Sequence, residues 1–428
     1  MRETVSQKRS STPGLERLPS SLKLKKGRNE VRVRDDEGRI LIRKRTKHSF
    51  LTLGAGLDLP LLILICILVA VGLVMMFSAS YAFAFAQYGD SFLFIKRQGI
   101  FALAGIIAMF AISTFDYHNF HKLAMPLYIV AIIMLFVLFV CSLLGIESIA
   151  PNKNGATRWL NLGFMEFQPS EFAKFAMVTM LADYLSRKSE KFSSKNLKGF
   201  WACIIIVGVV AGFVILEKHF SATIIIALLA LILMFIGGIN PKALLVLIVV
   251  GIIAMYFVMQ LDMFAHSRMR IAGWLAPFDP PEGVDTWQTR QGLYAIGSGG
   301  MLGVGLGQSK QKYLYLPEPQ NDFIFAIICE ELGFIGAIII ILLFAMLIWR
   351  GVYISINAKD RFGTLLGLGV TFTVGIQAVL NICVVTNALP NTGISLPFFS
   401  YGGTSLLMLL GQMGVLLAIS RHSYVEKT

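Results

Sequence analysis

The stretch Leu316-Pro317-Glu318-Pro319-Gln320-Asn321-Asp322-Phe323-Ile324-Phe325 sets a carboxylate at the mouth of a run apolar enough to cross a bilayer. An ion placed there is costly, so Asp322 is a candidate for chemistry. An Asp just before a helix also serves as an N-cap, worth about 1 kcal/mol, and that reading stands beside the first. Glu330 and Glu331 follow in the same span, about 12 Å deeper at 1.5 Å per residue. Three acidic groups in one span need partners or water. Glu330 and Glu331 are expected to bond to neighbouring helices, which leaves Asp322, nearest the outer surface, to meet a substrate arriving from that side.

A second constellation is Arg158-Trp159 followed by Gln168-Pro169-Ser170-Glu171-Phe172-Ala173-Lys174. With Gln168 near an N-cap, Pro169 takes the first helical position and Glu171 the third, a start resembling a capping box. Glu171 and Lys174 are three residues apart and share a helix face. They either pair with each other or, with Arg158, border an outward-facing polar cavity, and the residues alone leave both open. Ser400, Gly402, Gly403 and Thr404 open the last apolar run, where close packing by small residues and substrate contact are equally open.

The elements that must position these groups are helices. Of the 428 residues 56% are hydrophobic, the mean hydropathy is +0.70, and apolar runs of roughly 17 to 25 residues recur from Leu59 onward, the length a spanning helix needs. The chain reads as all-α, a polytopic membrane protein with about ten spans near 59–79, 97–115, 123–144, 166–185, 200–216, 220–237, 241–260, 323–349, 362–385 and 402–420. Most connections are short. Two are long, 145–165 and the large loop 261–321 between spans seven and eight, and loops of that length usually carry function.

Lys and Arg crowd the tail 1–57, the loop Arg187-Lys188-Ser189-Glu190-Lys191 and the loop from Arg350 to Arg361, and Arg421 and Lys427 stand at the C-terminal end, whose last residues 423–428 read as a short tail. With ten spans these lie on one side, so both termini are expected in the cytoplasm and both long loops outside. Lys96 and Arg97 break the rule. The tail 1–57 holds fifteen Lys/Arg against six Asp/Glu, interrupted by Ser, Gly and Pro, and reads as a disordered arm with weak attraction for anionic lipid. It has no cleavage site after the first apolar run, and nucleic-acid binding is excluded for want of interleaved aromatics.

The five cysteines, Cys66, Cys141, Cys203, Cys329 and Cys383, all fall in apolar spans without ligand spacing and read as buried structural thiols. His118, His121, His219 and His266 form no zinc pattern. The glycines at 297, 299, 300, 303, 305 and 307 lack the strand-turn-helix setting of a nucleotide loop. Tight turns or a re-entrant backbone fit better, since irregular backbone at membrane depth must line a cavity or pack on protein.

Three motifs carry a family resemblance. Lys312-Tyr313-Leu314-Tyr315-Leu316-Pro317-Glu318-Pro319 runs into Asn321-Asp322-Phe323-Ile324-Phe325-Ala326 and Glu330-Glu331-Leu332-Gly333; Arg158-Trp159-Leu160 precedes Gln168 through Lys174; Leu389-Pro390 precedes Leu396 through Ser405. Together, over roughly 58–422, they resemble the FtsW/RodA/SpoVE (SEDS) family, and the residues before Tyr315 resemble its FtsW/SpoVE branch more than RodA. Gln320-Asn321 departs from the His and small polar residue common in that family.

The resemblance implies a ten-span membrane domain over 58–422 that polymerises lipid II into peptidoglycan strands at the outer face of the cytoplasmic membrane, during division or sporulation, beside a class B penicillin-binding protein and other divisome or sporulation proteins. It implies Asp322 as catalytic base, Arg158, Gln168, Glu171, Lys174, Glu318 and Ser400 as substrate-binding residues, and a septal location. No tightly bound cofactor is implied; a loosely held Mg2+ or Mn2+ near Asp322 and Glu171 would suit a diphosphate leaving group. A lipid II flippase, using the same cavity without bond formation, is the alternative.

Overall fold

In the computed structural model, residues 30–34, 40–44, 56–153, 156–163, 165–187, 197–261 and 265–423 are described. Two units are distinct. In the first, β1 (Glu30–Arg34) pairs antiparallel with β2 (Ile40–Lys44), with Val33 opposite Leu41. Composition points to an arm without regular structure there, yet Val31 and Val33 alternate with arginines and Ile40 and Ile42 flank Leu41, a pattern that favours strand. The remainder of the tail up to residue 55 lies outside the described residues, as do 188–196 and 424–428.

The second unit is helical: α1 (Leu59–Tyr88), α2 (Leu93–Ser113), a 3-10 turn (Tyr117–Asn119), α3 (Phe120–Leu143), α4 (Pro169–Arg187), α5 (Leu197–Leu216), α6 (Phe220–Ile236), α7 (Pro241–Met259), α8 (Ala265–Leu275), α9 (Trp287–Ser298), α10 (Ile324–Ile356), α11 (Arg361–Val385) and α12 (Gly403–His422). Ten of these fall on the ten expected apolar runs. Eight, among the described residues, are long and apolar enough to cross a membrane; α6 is shorter, at 17 residues, and α4 carries Glu171, Lys174, Asp183 and Arg187. Between α3 and α4 the chain makes two small hairpins, β3 (Asn152–Lys153) with β4 (Ala156–Thr157) and β5 (Leu160–Asn161) with β6 (Glu166–Phe167).

Helix α1 runs nine residues past its expected end, because Ser80 to Tyr88 are compatible with helix and the stop comes only at Gly89, whose φ of 72 lets its N–H cap Phe85 O. Helix α11 is the hub. It packs on α4, α6, α9, α10 and α12, and α4 comes close because a Cβ on Gly369 would sit 2.3 Å from Val178.

One end of the bundle is tied by polar contacts: Arg350 to Asp58 at 2.7 Å, Tyr117 to Asp360, and Arg361 to Gly237 O at 2.7 Å. Both ends of the helical unit, Asp58 and His422, lie there, His422 edge-on to Tyr117 at 5.4 Å. The opposite end carries the 144–168 and 260–323 connections, called here the loop end. Lys96, the exception to the charge pattern, pairs with Asp90 at 2.9 Å. All five cysteines are free, and Cys141, Cys203 and Cys329 are buried as expected; Cys66 instead faces outward and Cys383 is half-buried, since their faces of α1 and α11 meet no neighbouring helix fully.

The glycine-rich segment after α9 is irregular backbone that packs on protein, one of the two settings expected for it. Helix α10 is broken at Gly333 (φ 67, ψ −168), and the loop pairs into the break: Val304 N–H donates to Glu330 O, Gly305 N–H to Glu331 O and Phe334 N–H to Gly300 O, at 2.9, 3.0 and 2.9 Å. Below it, Glu330 accepts from Ser309 Oγ and Lys310 N, and Glu331 accepts from Ser78 Oγ and pairs with Lys312 Nζ at 2.9 Å. Both glutamates are therefore structural. A Cβ on Gly333 would lie 2.2 Å from Gly303 N. Gly333→Ala is expected to cost about 3 kcal/mol or more, lowering the unfolding midpoint in detergent by several degrees, whereas Gly208→Ala, with open space around its Cβ, leaves it unchanged or raised.

Candidate active site

Helix α10 takes Phe323 as its N-cap and has no side-chain capping bond. Asp322 stands one residue earlier and is not spent on the cap. Its carbonyl accepts from Asn381 Nδ2 at 2.7 Å, and the same amide donates to Ile394 O at 2.6 Å, so α11 fixes both 322 and the 390s segment. Gly393, in the left-handed region at φ 70, lets that segment pass close by: its Cβ would be 3.6 Å from Asp322 Oδ2. Among the described residues no other side chain forms an ion pair with the Asp322 carboxylate.

The carboxyl is partly buried, and desolvation pushes its pKa up to about 6. Arg270, on α8, and Arg158 pull it down, while Glu318 pushes it further up. Near neutral pH it is ionised yet close to its titration range, the condition a general base needs.

The cations are held differently. Lys174, 1% exposed in the first turns of α4, pairs with Glu171 at 2.8 Å and donates to Gln377 Oε1 at 3.3 Å; Gln377 Nε2 in turn donates to Ser395 Oγ at 3.1 Å. The two helices α4 and α11 thus clamp one ammonium. Arg158, from the turn before β5, donates from Nη2 to Lys218 O at 2.8 Å and keeps Nε without a partner. Its charge acts on Asp322, on Glu217 and, with that of Lys174, on His219. Burial, with these two charges, holds the His219 imidazole well below its usual range, hence neutral, and its Nδ1 lies 3.2 Å from Ser170 Oγ.

Arg158, Glu171, Lys174 and Asp322 therefore gather at the loop end. Glu318 is exposed and accepts from Asn321 Nδ2 at 2.7 Å. Gln168 stands at the start of α4, its carbonyl accepting from Glu171 N at 3.1 Å. Ser400 is buried, its Oγ accepting from Leu396 N at 2.7 Å, and Gln98 bridges Ser400 O and Gly402 N at 3.3 and 3.2 Å. A Cβ on Gly403 would lie 2.1 Å from the Phe101 ring, so this small-residue turn serves close packing on α2.

Among the described residues no three metal-ligating side chains converge. Glu171 is engaged by Lys174 and Asp322 lies in the field of two arginines, so these carboxylates do not fit a protein-built cation site. Glu217, His219, Arg270, Gln377 and Asn381 were not singled out from sequence. The available signal was a polar side chain within an apolar run, as for Gln377 and Asn381 in α11.

Residues 59–425 match the cell cycle protein family FtsW/RodA/SpoVE. The chain belongs to that family. It is 39% identical over 338 residues to stage V sporulation protein E of Bacillus subtilis, covering 79% of this chain and 89% of the relative. It is 37% identical over 336 residues to a probable peptidoglycan glycosyltransferase FtsW of Geobacter sulfurreducens, covering 78% and 87%. In fold it resembles a chain solved in a peptidoglycan synthase complex that coordinates polymerization and crosslinking, at a TM-score of 0.71 and 23% identity over 88% of this chain and all of that one. It also resembles the rod shape determining protein RodA of Thermus thermophilus, at 0.63 and 24% over 87% and 99%.

In this FtsW/RodA/SpoVE member, Lys174→Met leaves Glu171 without its ion pair in a nearly closed site. The expected cost is about 3 kcal/mol, read as a lowered unfolding midpoint, and the double variant Glu171→Gln with Lys174→Met recovers part of it.

Proposed function

We propose that this chain is an inverting peptidoglycan glycosyltransferase that polymerises lipid II, with Asp322 as general base. The observation that carries the assignment of the base is the free, partly buried Asp322 carboxylate flanked by Arg270 and Arg158. In the reaction the 4-hydroxyl of one sugar attacks the anomeric carbon of the next. The bond from that carbon to the diphosphate breaks, the lipid diphosphate leaves with the electron pair, and the hydroxyl proton passes to Asp322, directly or through one water. Fixed cations act most where charge develops in a poorly hydrated site, which suits Arg158 and Lys174 to the leaving diphosphate.

Glu171 orients Lys174, and Gln168, Glu318 and Ser400 complete the substrate-binding set of this reading. A Mg2+ or Mn2+ that takes part would arrive with the diphosphate, whose oxygens supply the hard ligands that the chain does not gather. Ten spans, cytoplasmic termini and outward-facing long loops agree with the basic residues Arg187, Arg350 and Arg361 at the end opposite Asp322. The membrane is the cytoplasmic one, at the division septum or its sporulation counterpart. A class B penicillin-binding protein is the proposed partner, by analogy with the synthase complex that this fold resembles.

Purified protein, alone and with such a partner, incubated with lipid II is expected to give a glycan ladder on a gel. Asp322→Asn, folded by its melting curve, is expected to lose at least about 100-fold in rate. Transport of lipid II without any ladder would replace the polymerase by a flippase. The pH dependence follows from the raised pKa: the base is ionised above about 6 and protonated below it. Polymerisation should hold from pH 7 to 8 and fall about tenfold per unit below 6; an acid limb centred near 4 would speak against Asp322.

A further inference from the structure

Glu217 sits in the turn between α5 and α6, 4% exposed, and neither of its carboxyl oxygens has a hydrogen-bond partner. Arg158 stands beside it, and its Nε is also buried without a partner. Two complementary groups are thus neighbours, each unsatisfied and not joined. A buried ionised carboxylate would be expected to close on such a guanidinium. Burial instead pushes the Glu217 pKa up to about 9, Arg158 opposing it, so at neutral pH the group keeps its proton.

The surroundings ask for an anion. The charged group acting on Glu217 is Arg158, from the loop before β5; Arg158 and Lys174 of α4 also act on the neutral His219, two residues further on. Across Arg158 lie Arg270 of α8 and Asp322. Lys174 is matched by Glu171, whereas Arg158 and Arg270 share the field of Asp322, and a protonated Glu217 adds a donor without cancelling Arg158. An ionised Glu217 would occupy the same guanidinium.

We propose that Glu217 is a substrate-binding residue: as a neutral acid it donates a hydrogen bond to a phosphoryl oxygen of a lipid diphosphate held by Arg158, and when ionised it competes with that diphosphate for Arg158. The identity of the ligand rests on the polymerase reading above; the donor role rests on the unpartnered carboxyl beside a guanidinium whose Nε has no partner.

The test measures binding of farnesyl diphosphate to detergent-solubilised full-length protein at pH 7.5 and pH 10, for wild type, Glu217→Gln and Glu217→Ala, with melting curves to verify folding at each pH. Wild type is expected to weaken by about tenfold on going to pH 10, one unit above the Glu217 titration. Glu217→Gln, neutral at every pH and still a donor, is expected to bind two- to threefold more weakly at pH 7.5 and to escape the tenfold loss. Glu217→Ala should be about tenfold weaker at pH 7.5. Lysine titration and the charge on the probe act on all three proteins alike, so the difference between wild type and Gln is the reading. An alkaline loss equal in wild type and Gln, or an Ala variant that binds like wild type, overturns the proposal. A glycan-ladder assay on wild type separates the two readings: no ladder with Glu217-dependent binding sinks the polymerase alone, and a ladder with Glu217-independent binding sinks this inference alone.

Discussion

A charge inside an apolar bundle must be answered by another polar group, and most of this structure is arranged around that requirement. Glu331 is answered by Lys312 and Ser78, Glu330 by the backbone of the 309–311 turn, and Lys174 by Glu171 and Gln377. These contacts pin α1 and the 309–312 loop to α10, and α4 to α11. Where the requirement is left unmet, at Asp322, Glu217 and the Nε of Arg158, the vacancies lie together at the loop end. These open groups stand together where the proposed substrate would meet the bundle.

The division of labour among the elements follows. Helix α11 is buried along most of its length and supplies two amides, Gln377 and Asn381, one turn apart on the same face. One holds the ammonium and the other holds the backbone at Asp322. The backbone at Asp322 and the Lys174 ammonium are thereby referenced to one helix rather than to separate loops, an arrangement that holds polar groups in register.

Much of this was legible in the sequence. Asp322 at the mouth of an apolar run, the three-residue spacing of Glu171 and Lys174, and the ten apolar stretches all mapped onto the structure, because each is a local property of chain and bilayer. Glu217 and His219 were not legible: a short Glu-Lys-His turn between two apolar runs reads as an ordinary polar connection, and only packing reveals that Glu217 is buried beside Arg158, 59 positions away. The same holds for Asn381, whose partners at 322 and 394 are brought together by the fold. Hairpin β1–β2 escaped notice because charge density in the tail outweighs a short strand-like alternation.

The seam between Gly303 and Gly333 has a mechanical meaning. Helix α10 spans 33 residues, about 50 Å, but its break uncouples the leading turns from the long rod behind them. Those leading turns are stitched through backbone hydrogen bonds to the loop at 300–305. Loop and leading turns therefore form one continuous hydrogen-bonded piece, with Asp322 at its leading edge. Through that piece and through Asn381 of α11, residue 322 is braced from two directions, so the carboxylate and the Lys174 ammonium keep one common frame.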